Sequence, residues 1–147
     1  MKLHSLRDRT LGVIPIRLTL GLLLLGAARL AGAANGPALL AFVIGVFGIT
    51  FVIFNDPRAR FAHGTVEPLA LPADAEIAPR WQQALAATVP STIAVAVLAC
   101  IALLPQPTLA ALLAGVEAGL GVAGVISLGR IDPRLYADPS THVVYRR

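Results

Sequence analysis

The sequence predicts an all-α membrane protein: four transmembrane helices arranged as two tandem, parallel-duplicated helical hairpins. Three observations predict it. First, 56% of the 147 residues are hydrophobic and 14% charged, where soluble domains carry about a quarter charged. With a mean hydropathy of +0.76, so few charges cannot cover the apolar surface in water. Second, four apolar stretches (11–33, 37–54, 84–104 and 108–128) approach the roughly 20 helical residues that a hydrocarbon core about 30 Å thick requires. Third, the chain nearly repeats itself. Gly45-Val46-Phe47-Gly48-Ile49 runs on to Asp56-Pro57-Arg58, and Gly121-Val122-Ala123-Gly124-Val125 runs on to Asp132-Pro133-Arg134 at the same offsets.

The elements follow in order. Residues 1–10 form a short basic segment. The first hairpin, 11–54, closes through Gly36-Pro37, with the proline expected at the first helical position. Residues 55–83, with Pro57, Pro68, Pro72 and Pro79, lack sustained periodicity and read as an irregular linker. Trp81 is placed as an interfacial anchor where the third stretch begins. The second hairpin, 84–128, reverses at Pro105-Gln106-Pro107, and 129–147 is a cytoplasmic tail whose stretch from Tyr136 to Arg147 reads as polar and loosely ordered. Loops this short predict antiparallel neighbours. Pro15 and Pro90 lie inside the first and third stretches and predict kinks, with Ser91 and Thr92 available to the carbonyls freed at the second. Lys2 to Arg9 followed by an apolar run and Ala31-Gly32-Ala33 also resembles a signal peptide. The length of that run, and its counterpart in the second half, favour a span.

Ten basic residues fall in the N-terminal segment, linker and tail; the hairpin tips carry none apart from Arg29. That asymmetry places both termini and the linker in the cytoplasm, and a bacterial inner membrane is the expected location. It also accounts for the net charge of +4 without a polyanionic partner, and the basic residues form no face interleaved with aromatics, so nucleic acid is not expected. Two spans per unit give a repeat related by an axis along the membrane normal, unlike the inverted repeats of many transporters.

Glu117 is the most informative single residue, since a carboxylate near the bilayer centre is costly unless paired or protonated. By rise per residue, Arg29 is the nearer counter-charge and Arg17 the second candidate. This is a structural ion pair or an intramembrane proton site. Gly115 and Gly119 flank Glu117, and with Gly121, Gly124, Gly45 and Gly48 they offer helix-packing surfaces. The two Asp-Pro-Arg triplets read as repeated cytoplasmic stops and anchors, because proline ends the helix and holds the preceding aspartate extended.

His63 and His142, with the two aspartates, lack metal-ligand spacing, and His4 sits in the N-terminal segment. Cys100, the single cysteine, excludes an internal disulfide and reads as a packing residue. Neither a cofactor nor a catalytic motif is expected. The lipid bilayer and other membrane subunits, or further copies of this chain, are the expected partners. The sequence therefore favours a small non-enzymatic, multi-pass accessory subunit or homo-oligomer packing through glycine-rich helices. The alternative is a small oligomeric proton- or cation-coupled transporter or channel using Glu117.

Overall fold

The computed structural model describes residues 2–59, 76–77, 79–130 and 144–145. Helices dominate: α1 (Leu6–Leu30), α2 (Asn35–Asn55), α3 (Arg80–Thr88), α4 (Ser91–Ala102) and α5 (Pro107–Arg130). Three stretches, Asp8–Leu30, Asn35–Asn55 and Pro107–Arg130, are long and apolar enough to cross a membrane. The polarity of the described residues is inverted relative to a protein in water. Leu23, Phe47, Phe51 and Ile101 are exposed, whereas Gln83, Thr88, Thr92, Glu117 and Ser127 are buried.

Short strands join the helices, which the sequence did not predict. β1 (Lys2–Ser5) pairs in parallel with β2 (Glu76–Ile77) and antiparallel with β3 (Val144–Tyr145). The N-terminal segment, the linker and the tail are thereby tied together. No periodicity announces strands of two to four residues, since a ladder this short depends on which segments meet.

The α1–α2 turn also differs from expectation. Gly32, at φ 106°, ends α1 in a region that suits glycine. Its N–H bonds to Arg29 O (3.1 Å) and that of Ala33 to Ala28 O (3.0 Å), the paired bonds of a Schellman stop. α2 then begins at Asn35, so Pro37 occupies the third helical position. Proline is tolerated there because the first helical N–H groups have no partner within the helix.

The two internal prolines behave differently. Pro15 sits within a continuous α1. At Pro90 the expected kinked helix is instead two helices, α3 and α4, with Val89 extended (φ −97°, ψ 131°) and a cis Val89–Pro90 peptide. Proline lacks the N–H that would continue the ladder and disfavours helical geometry in the residue before it. Thr88 adds a competing bond, donating its hydroxyl to Leu85 O at 2.8 Å.

Packing centres on α5, which touches α1, α2 and α4; α1 and α2, consecutive in the chain, share little contact. The short turn thus makes α1 and α2 antiparallel without making them packed neighbours, because α5 lies between them. Small residues allow it. A Cβ at Gly45 would run into Leu112 O and lie 2.8 Å from Val116 N, and one at Gly115 would run into Phe42 O. At Gly119 a Cβ would lie 2.7 Å from Val46 O. On the other flank of α5, Gly121 faces Leu18 and Gly124 faces Ile14 across 3.0 Å. Gly48 departs from the expected packing role: nothing lies within 4 Å of where its Cβ would be. At the tip, the end carrying both interhelical turns, Ala28, Ala33, Ala38, Ala102, Ala110 and Ala111 form one buried cluster.

Candidate functional site: a buried carboxylate beside a broken helix

Three helices bring polar groups together inside the bundle. α5 carries Glu117, whose side chain is 0% exposed. α1 carries Arg17, whose Nε lies 3.8 Å from Glu117 Oε1. α4 contributes its first two residues: Arg17 Nε donates to Thr92 Oγ1 at 3.0 Å and Nη2 donates to Ser91 Oγ at 3.1 Å. The guanidinium thus directs two of its N–H groups to the hydroxyls, and at 3.8 Å it meets the carboxylate chiefly as a charge. Thr92 also interacts with Glu117, but neither carboxylate oxygen has a partner in hydrogen-bond geometry.

The helix break builds this site. Because α4 starts afresh at Ser91, two hydroxylated residues stand at its first turn, where side-chain oxygens and free N–H groups are both available. Ser91 and Thr92, expected to serve freed carbonyls, here both accept from Arg17. A hydroxylated pair directly after a proline was the available signal, but its partner could not be read without the helix register.

That register also corrects the counter-charge. A Cβ at Gly21 would lie 2.8 Å from Ala114 O and Ala118 Cβ, so Gly21 is level with Glu117 in the antiparallel α1–α5 pair. Arg17 is four residues, about 6 Å, to the loop side, and Arg29 is eight residues, about 12 Å, toward the tip. A long side chain spans the first gap and not the second. Arg29 instead donates from Nε (3.0 Å) and Nη2 to Asn35 Oδ1, fastening the α1–α2 turn.

The first Asp-Pro-Arg stop is a local device. Asp56 caps α2 in extended geometry (φ −77°, ψ 114°), as its place before proline predicts. Its Oδ1 accepts from the Arg58 N–H at 2.9 Å and its carbonyl from the Ala59 N–H at 3.0 Å. The carboxylate thus closes a turn over Pro57, which has no N–H to offer. Nearby, the Arg130 guanidinium lies 4.6 Å from the centre of the Phe54 ring, joining the ends of α2 and α5. Asp132, Pro133, Arg134, His63 and His142 lie outside the described residues, and among the described residues no three metal-ligating side chains converge. Cys100 is exposed on α4 and does not fill the core role expected of it.

Comparison with protein-family models, with curated proteins and with solved structures finds no match.

Proposed function

We propose that the chain is a small non-enzymatic multi-pass membrane protein acting as an accessory subunit or homo-oligomer, with Glu117 and Arg17 as an internal lock. The observation that carries this is the burial of Glu117 against Arg17 and Thr92 among three helices of one chain. A buried pair of this kind fixes register. The glycine faces of α5 are spent on α1 and α2, so a partner would meet α2, whose outer face carries the exposed Leu40, Ile44, Phe47 and Phe51.

The proposal includes four spans. At 12 residues, α4 rises only about 18 Å, short of the hydrocarbon core. Taken together, α3 and α4 reach about 30 Å and supply the third span. The tandem-hairpin duplication is supported by the parallel course of α2 and α5, where Phe42 meets Gly115 and Val46 meets Gly119. The asymmetry of loop charge supports cytoplasmic termini, and a bacterial inner membrane is part of the proposal.

A second reading, proton- or cation-coupled transport, is favoured by the carboxylate oxygens without hydrogen-bond partners beside an interrupted helix. Flux through proteoliposomes separates the two. The expected result is no pH-gradient-driven flux above empty vesicles, with Glu117→Gln still folded. Flux that Glu117→Gln abolishes would establish transport instead.

A further inference from the structure

The surroundings of the Glu117 cluster differ sharply on its two sides. Toward the tip, the space between helices is filled by Leu24, Ala99, Ala114 and the alanine cluster around Ala110. The side chains named there are apolar. Toward the loop side, α3 packs along α1 and turns polar residues inward: Gln83 and Thr88 are buried, while Trp81 and Leu85 face outward. Exposure falls in the same direction, from Ser91, which is exposed, through Arg17, which is partly buried, to Thr92 and Glu117, which are buried. The polar seam ends at the carboxylate.

Two independent features at that end call for water. Both Glu117 oxygens are buried without a hydrogen-bond partner, a condition native proteins relieve with ordered water. The interruption at Pro90 also leaves the first N–H groups of α4 without intrahelical acceptors, the first bond being Ala94 N–H to Pro90 O at 2.9 Å. Charge does not favour a metal cation instead, because Arg17 occupies the same space. It is the charged group that faces Glu117; α4 presents Ser91 and Thr92, and α2 has no titratable side chain along 42–49.

We infer that the Arg17–Ser91–Thr92–Glu117 cluster is a water-binding crevice that reaches Glu117 from the loop side of the membrane alone. The inference rests on the four-span reading and not on what the chain partners. It makes Glu117 a site whose hydration and protonation answer to one compartment.

The test is sided labelling. In a Cys100→Ala background, Ser91→Cys is exposed to a membrane-impermeant maleimide in sealed vesicles of each orientation. Labelling should be at least about tenfold faster from the loop side, since the reagent needs a hydrated thiolate. Val97→Cys, on the exposed face of α4, should stay unlabelled from both sides. Equal labelling of Ser91→Cys from both sides overturns the one-sided access. No labelling from either side overturns the crevice. Amide exchange of the unmodified protein in nanodiscs provides a check that needs no variant. Residues 91–93 should exchange readily while 110–114 are protected, and protection of both segments overturns the proposal. Flux in proteoliposomes reads the functional proposal separately, so the two can fail independently.

Discussion

α2 and α5 carry the same glycine pair and the same Asp-Pro-Arg ending, yet one is the periphery of the bundle and the other its axis. Half (50%) of the apolar stretch of α5 is buried inside the protein against 11% for α2. The sequences, aligned on their repeated glycines, show why. Where α5 has Ala118, Ala123 and Ser127, α2 has Phe42, Phe47 and Phe51. Ala123 and Ser127 are each 3% exposed, and Phe47 and Phe51 are 71% and 69% exposed. In water the larger apolar side chain would be the buried one. Lipid removes that driving force, and helices associate where small residues let backbones come close. Size rather than hydrophobicity therefore assigns the two helices their places.

The single charge buried in α5 is the deepest difference between them, since the matching position in α2 is Ala41. Removing its partner should have the largest effect. Arg17→Ala strands Glu117 and should cost about 3–5 kcal/mol, the usual penalty for breaking a buried pair from one side. Arg29→Ala, which loses a surface bond to Asn35, should cost at most about 1 kcal/mol. Thermal unfolding in nanodiscs compares them. A larger loss for Arg29→Ala would mean that the α1–α5 register is wrong.

The membrane class, three of the apolar stretches, and the packing role of most of the glycines were legible in the sequence, because each depends on composition or local spacing. The choice between Arg17 and Arg29 was not. Both lie within side-chain reach by rise per residue, and only the contact of Gly21 with Ala114 and Ala118 sets the level of α1 against α5. Pro15 and Pro90 likewise look alike in sequence. What separates them is the Thr88, Ser91 and Thr92 hydroxyls around Pro90, which offer bonds outside the helical ladder and find a partner in Arg17. The exposure of Gly48 was hidden for the same reason as the α5 core: a glycine in lipid packs only if another helix is brought to it.

The glycines sharpen the comparison at the next level of effect. Gly119→Leu drives a side chain into Val46 and Ile49 of α2 and should destabilise by about 1–3 kcal/mol or displace α2 altogether. Gly48→Leu meets open space and should leave the melting temperature nearly unchanged, the small gain in helix propensity being its main effect. Equal losses for the two would point to a partner seated on α2 at Gly48, and concentration-dependent stability of the wild type would then identify that partner as a second copy.

The smallest effect tests a hydroxyl contact between α2 and α5. Thr50 Oγ1 donates to Val46 O at 2.7 Å within α2 and lies 3.3 Å from Gly119 O across the interface. The intrahelical bond is the better one, so Thr50 acts chiefly as a satisfied side chain that fits the groove beside Gly119. Thr50→Val keeps the shape and removes both bonds, and should cost about 0.6 kcal/mol, the average for such bonds between membrane helices. Thr50→Leu adds bulk at the same place. If the leucine variant is no worse than the valine variant, α2 yields readily at this contact. If it is several-fold worse, the closeness of the backbones at Gly119, rather than the hydroxyl, holds the peripheral helix on the axis.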